Sequence, residues 1–172
     1  MSDYQRLTHE FAPVFSKDSK ILILGTFPSV KSREQQFYYG HPQNRFWKVL
    51  SHITKELLPA TTEEKKQLLL NHGIAVWDVI QSCEIIGSSD SSIRNVVPAD
   101  LPWLLQQCPI TAIFGNGSKA CELFEKYSAP ALKDFADICP IQKLPSTSPA
   151  NASWSLQRLC DYWQERLSPY IE

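Results

Sequence analysis

The chain has 172 residues, 43% of them hydrophobic and 20% charged, with a formal net charge of -1 at neutral pH. A chain of this length hides roughly two-thirds of the surface its unfolded form exposes, enough for one domain with a full core, expected to span residues 1–172. The composition excludes a disordered chain, no apolar run nears the roughly 20 residues of a membrane span, and the near-zero charge gives no global pull towards nucleic acid or anionic lipid.

The opening stretch, Met1 to Glu10, is polar and lacks the apolar core of a secretion signal, which points to the cytoplasm. A first strand is expected over Lys20 to Leu24, stopped by Gly25. A long polar segment then leads to a helix over Asn44 to Leu58. Its apolar residues Phe46, Trp47, Val49, Leu50, Ile53, Leu57 and Leu58 recur at three and four, one buried stripe that Pro59 ends. Glu63 to Lys66, ahead of Leu68, Leu69 and Leu70, reads as the solvated start of another helix. A second strand is expected over Ile74 to Val79. A short helix over Asp100 to Gln107 follows, with Asp100 as N-cap and Pro102 in its first turn. A third strand over Thr111 to Phe114, a helix over Ser118 to Tyr127, a fourth strand over Ile141 to Leu144 and a helix over Ser153 to Leu167 complete the pattern. Strands alternating with helices mean βαβ units, a mostly parallel sheet and the α/β class. The cysteines Cys83, Cys108, Cys121, Cys139 and Cys160 are odd in number, widely spaced and free of any C-x-x-C pair. They are expected to be free thiols, with neither a disulfide framework nor a zinc or iron–sulfur site.

In an open parallel sheet, ligands bind beyond the carboxyl ends of the strands, and there the unusual residues fall. Gly25-Thr26-Phe27-Pro28-Ser29 follows the first strand and Trp77-Asp78 closes the second. Gly115-Asn116-Gly117-Ser118 follows the third, and Pro145-Ser146-Thr147-Ser148-Pro149-Ala150-Asn151 the fourth. Turn chemistry explains any one of these alone; four converging on one edge favour a site. Aromatics, an imidazole, amides and a guanidinium crowd Tyr38 to Trp47. Aromatic faces suit a flat heterocycle, whose stacking is worth about 1–3 kcal/mol per base. Hydroxyls and backbone N–H groups between Pro145 and Pro149 suit a phosphate. Lys31, Arg33, Arg45, Lys48 and Lys119 are expected to give that edge a positive rim.

Gly25 to Ser29, followed by His41-Pro42-Gln43-Asn44-Arg45-Phe46-Trp47-Lys48, resembles the first motif of the uracil-DNA glycosylase superfamily. Leu144 to Ala152 is similar to its second motif, the loop that enters the DNA minor groove. With Gly73 to Val79 and Asn116 to Ala120 as the central strands and their turns, the chain is most similar to the hypoxanthine-DNA (deoxyinosine) glycosylase branch, from about Lys20 to Trp163. The resemblance implies a three-layer sandwich with a central four-stranded sheet flanked by helices. It also implies a monofunctional enzyme of base excision repair that flips a deaminated base out of double-stranded DNA and leaves an abasic site. Neither metal nor cofactor is expected, and a monomer is.

Better-known branches carry Asp or Asn two residues after the motif-one glycine, to activate water; here Phe27 stands there. The second motif lacks the histidine of the uracil-specific enzymes, so uracil is expected to be a poor substrate. The resemblance implies that Asn44 is catalytic, orienting water through its amide oxygen, while the plain alternative is a helix N-cap. Gly25, Thr26, Phe27, Tyr38, Tyr39, Asp78 and Asn116 are the expected base contacts, with Phe27 and a tyrosine stacking and Asp78 accepting from N1–H of hypoxanthine. Core packing for Phe27, loop bracing for the tyrosines, a surface or capping carboxylate for Asp78 and a helix cap for Asn116 stay open. Pro28, Ser29, Ser146, Thr147, Ser148, Pro149, Ala150 and Asn151 are expected to hold DNA phosphates or to wedge into the gap the flipped nucleotide leaves. His41 reads as a structural hydrogen-bonder, and His9, His52 and His72 as peripheral. Competing readings are a uracil or mismatched-pyrimidine glycosylase, a silent lesion-binding module, and a serine esterase, which the absence of a G-x-S-x-G elbow disfavours.

Overall fold

A computed structural model describes residues 3–138 and 140–171; Cys139 lies outside the described residues, and the other four cysteines are free thiols. Four strands form the central sheet: β2 (Ile21–Gly25), β3 (Ile74–Asp78), β6 (Ala112–Asn116) and β7 (Gln142–Leu144), in the order β3-β2-β6-β7. Every pairing is parallel. Strands β2 and β3 are buried along their whole length, which is why they read as unbroken apolar runs rather than alternating ones. The chain fills β3 on one side of β2 and then β6 on the other. That reversal opens a crevice at the carboxyl ends of β2 and β6.

The helices are α1 (Val30–Gln35), α2 (Phe46–Thr54), α3 (Thr62–Asn71), α4 (Leu101–Gln107), α5 (Ser118–Leu123) and α6 (Leu156–Leu167). The Asp100 carboxylate accepts from Trp103 N–H and caps α4 as expected. Thr61 and Glu64 form a reciprocal capping box on α3. Helices α2 and α6 bury facing stripes, Phe46, Val49 and Leu50 against Leu159, Trp163 and Leu167. The Phe46 and Trp163 rings meet edge to face, with centroids 6.0 Å apart.

Two expectations need correction. Helix α2 stops at Thr54, not Leu58: Lys55 adopts a left-handed conformation (φ 61°), the Ser51 hydroxyl donates to Glu56 O, and Leu57 is 93% exposed. The Glu56 carboxylate beside His72 Nε2, at 2.5 Å, holds the chain on this new course ahead of Pro59. Beside the central sheet stands a second, antiparallel one, of β1 (Gln5–Thr8), β4 (Ile80–Ile85) and β5 (Arg94–Pro98) in the order β1-β4-β5. Only Ile80, Cys83 and Ile85 of β4 are fully buried, and β5 is largely open, so their apolar signal is faint. The chain passes from β3 into β4 beside motif one, with Val79 N–H donating to Gly25 O and Ile80 N–H to Thr26 O. Among the described residues no helix is long and apolar enough to cross a membrane.

Candidate functional site

A cleft of about 540 Å³ opens at the carboxyl ends of the central strands. It is lined by Gly25, Thr26, Phe27, Pro28, Ser29, Tyr38, Tyr39, Asn44, Asp78, Asn116, Ser146, Thr147, Ser148 and Pro149, all named from the sequence. Ala150 and Asn151 instead line an adjoining cavity of about 490 Å³.

Asn44 sits one residue before the N-cap of α2, and its Oδ1 accepts from Phe46 N–H at 2.9 Å and from the Thr147 hydroxyl at 2.8 Å. Thr147 Oγ1 in turn accepts from Asn116 Nδ2 at 3.0 Å, while Thr147 N–H donates to Asn116 Oδ1 at 3.0 Å. Two backbone N–H groups, which can only donate, fix the orientation of both amides, and the hydroxyl between them has one direction left. Both lone pairs of Asn44 Oδ1 are therefore used within the protein. This leaves the oxygen no free lone pair for the attacking water it was expected to hold; Asn44 lines the cleft, and no acceptor for its Nδ2 hydrogens is found among the described residues. Asn116 is no helix cap, since Gly117 precedes α5 and no side chain caps it. Gly117 has φ 96°, and a Cβ there would stand 3.1 Å from Ser146 Cβ, so glycine lets the two turns touch.

Arg45 was expected at a positive rim; it is a clamp instead. Its guanidinium donates to the carbonyls of Thr147, Ser148, Asn151 and Trp154. The loop after β7 is thus tied to the start of α2 through the residue next to Asn44. Ser146 Oγ accepts from Ser148 N–H and Ser148 Oγ from Ala150 N–H. Asn151, expected near the wedge, braces the loop: its amide donates back to Ser146 O and its carbonyl is held by Arg45. Thr147 is fully buried and cannot reach a phosphate. Pro28 is buried too, its carbonyl taken by Arg33. Arg33 also reaches Gly87 O, so it braces a loop rather than facing solvent. Ser29 caps α1, accepting from Ser32 N–H. Of the other rim candidates, Lys31 and Lys119 line the cleft, while Lys48 is exposed outside it.

Asp78 is buried, and its Oδ2 lies 2.8 Å from His9 Nε2. His9 is not peripheral: it is 7% exposed and packed among Phe11, Phe27 and Tyr38, with its Nδ1 buried and without a hydrogen-bond partner among the described residues. This cage explains two further corrections. Tyr38 is only 2% exposed and spends its hydroxyl on Ala12 O, so it braces the core and is too deep to stack on a base. Phe27 packs edge-on against the His9 ring, and Arg33 lies 5.8 Å over its own ring. Tyr39 is the half-buried aromatic left at the cleft, one face stacked on Phe46 at 3.8 Å. Burial, with Asp78 adding to it, pushes the Tyr39 phenol far above its usual range, so it stays protonated. Its hydroxyl is buried near Asp78 and Asn116, without a well-aligned partner among the described residues. A Cβ on Gly25 would stand 2.5 Å from Asp78 Oδ1 and 3.0 Å from the Tyr39 hydroxyl, so only glycine fits at this floor.

Sequence reasoning missed His9, which lies far from any motif, and Asp90, which the β4–β5 connection brings to the cleft beside Thr26, whose hydroxyl donates to Asp90 Oδ1 at 3.3 Å. The serine-rich run from Ser88 to Ser92 was the available signal. His41 is a local hydrogen-bonder, as read, accepting at Nδ1 from Gln43 N–H.

The profile of the uracil DNA glycosylase superfamily matches residues 12–167. A protein of Methanosarcina acetivorans named hypoxanthine DNA glycosylase is 36% identical over 150 residues, which is 86% of this chain and 90% of that protein. One of Methanosarcina barkeri with the same name is 32% identical over 114 residues, 65% of this chain and 72% of its own. A solution NMR structure from Methanosarcina acetivorans, described as a candidate uracil DNA glycosylase, superposes with a TM-score of 0.73 at 34% identity, covering 90% of this chain and 92% of that one. With its cleft built from both signature motifs, the chain belongs to the uracil DNA glycosylase superfamily.

Proposed function

We propose that this protein is a monofunctional DNA glycosylase that extrudes deoxyinosine from double-stranded DNA, hydrolyses the bond between C1′ and N9, and leaves an abasic site. The observation that carries this reading is the locked Asn44 amide, whose oxygen is bonded within the protein and which lines the cleft that both motifs build. The name shared by the two relatives supports the choice of base. Extruding a base costs a few kcal/mol, less for a mismatched one, which favours deoxyinosine over paired adenine. Tyr39 takes the stacking role. Asp78 Oδ1 accepts from N1–H of hypoxanthine and repels adenine, whose N1 carries a lone pair.

As the bond breaks, negative charge grows on the departing purine and positive charge on the sugar. Asn44 Nδ2 donates to the ring nitrogens where the negative charge collects. A donor fixed in advance needs no reorganisation at that moment, and removing one such donor typically slows a reaction about 100- to 1,000-fold. The hydroxyl-rich turn from Ser146 to Ser148 and the tip formed by half-buried Pro149 and exposed Ala150 meet the DNA backbone. The protein works as a cytoplasmic monomer, and neither metal nor cofactor enters this reading.

The test is a set of duplexes carrying one deoxyinosine, one uracil or one mismatched pyrimidine, each treated with alkali after incubation. Cleavage confined mainly to deoxyinosine, with no adduct trapped by borohydride, is the expected result. A preference for uracil would make it a pyrimidine glycosylase on the same fold. Tight lesion binding with no alkali-labile site would make it a binding module.

A further inference from the structure

Hydrolysis needs an acceptor for the proton of the attacking water, and an amide whose oxygen is already saturated is not one. Of the two carboxylates among the described residues of the cleft wall, Asp78 is 4% exposed and engaged by His9. The other is Asp90, reached by solvent at the cleft and belonging also to the wall of the adjoining cavity. It stands on the connection between β4 and β5, a loop laced by its own serines: Ile86 N–H donates to Ser92 Oγ, and the Ser92 hydroxyl to Ser89 O. Three bonds fasten that loop to motif one and the helix α1 that follows it. Val30 N–H donates to Ser88 Oγ at 2.8 Å, Arg33 to Gly87 O at 3.2 Å, and Thr26 to Asp90 itself at 3.3 Å.

We propose that Asp90 is the group that takes the proton from the attacking water, an assignment that rests on the glycosylase reading above. In the step, a lone pair of the water oxygen forms the bond to C1′. The C1′–N9 pair leaves with the purine, and one water proton passes to the Asp90 carboxylate. The purine anion then takes up a proton, Asp90 returns its own to solvent, and the products are neutral hypoxanthine and an abasic sugar. The charges round Asp90 suit the task. Protein crowding on its inner sides raises its pKa; the Thr26 hydroxyl and Lys119 on α5 pull it down, and Asp78 on β3 pushes it up. A carboxylate made more basic than usual is a better proton acceptor, which is what abstraction of a water proton asks for.

The experiment measures single-turnover excision on a deoxyinosine duplex, and binding to the same duplex, for wild type, Asp90→Asn and Asp90→Ala across pH. A general base contributes about 100- to 10,000-fold. Both variants should therefore lose at least about 100-fold in rate while binding stays within about threefold, and the acidic limb of the wild-type profile should vanish. Thr26→Val removes a donor from the ionised form, so its acidic limb should move to higher pH, a change that a loop brace would not produce. Wild-type rates in Asp90→Asn, or rate and binding lost together with the acidic limb intact, would overturn the assignment alone. A wild type inactive on every lesion duplex would overturn the glycosylase reading and this assignment with it.

Discussion

One wall of the cleft is held by a dense network of linked bonds and the other by a few separate ones. On the first, the loop after β7 is fixed by four carbonyls on one guanidinium and by two amides keyed to backbone N–H groups. On the second, the β4–β5 loop meets motif one and α1 through single bonds that Ser88, Gly87 and Asp90 accept. The first wall presents a donor whose direction and charge do not change with pH, and the second a carboxylate whose charge does. Leaving-group stabilisation rewards rigidity, because the donor must already be in place when charge develops. Proton transfer rewards a group that can change its charge. The difference in construction thus matches a difference in task.

Breaking the rigid wall at Asn44 gives the largest expected effect. Asn44→Ala should lower single-turnover excision of deoxyinosine by about 100- to 1,000-fold while leaving lesion binding largely intact. Asn44→Asp sharpens this: its oxygens still accept from Phe46 N–H and the Thr147 hydroxyl, but the donor becomes an acceptor. If Nδ2 is the working group, the aspartate is as impaired as the alanine; if water is held by Oδ1, the aspartate keeps or gains activity. Arg45→Ala comes next. It strips a charged donor from several carbonyls, a loss of about 2–3 kcal/mol in denaturant unfolding, with weaker DNA binding because the loop loosens. Thr147→Val keeps the shape and removes only the hydroxyl between the two amides. About 1–2 kcal/mol of stability should go, with excision slowed more than binding is weakened.

The two walls also differ in how far the sequence revealed them. The central strands were legible because burial on both faces leaves unbroken apolar runs, as in Ile21 to Leu24. The motifs at their ends were legible because glycine, proline and small polar residues cluster there. What each side chain does was not. Asn44, Thr147 and Asn116 lie far apart in the chain, and only contact shows that the amide oxygen is consumed and the hydroxyl buried. Arg45 looks like any surface cation until four carbonyls are found around it. The second sheet escaped because β5 shows its side chains mostly to solvent, and with it went the loop that carries Asp90. His9 escaped for a related reason, since a polar N-terminal segment gives no hint that one imidazole will end in an aromatic cage behind Asp78.

The smallest expected effect tests whether the two walls are independent. Ser88→Ala removes the acceptor of Val30 N–H, one neutral hydrogen bond at a partly solvated site, and should lower stability by about 0.5–1 kcal/mol. Amide hydrogen exchange should report the site of the loss: the Val30 amide exchanges faster, while the Phe46 and Thr147 amides keep their protection because their acceptors are untouched. Groups that share no partner should add within about 0.3–0.5 kcal/mol. Ser88→Ala combined with Thr147→Val should then show the sum of the single losses. A coupling clearly beyond that range would mean the walls move as one body, and the fixed donor and the titrating carboxylate would have to be treated as a single array.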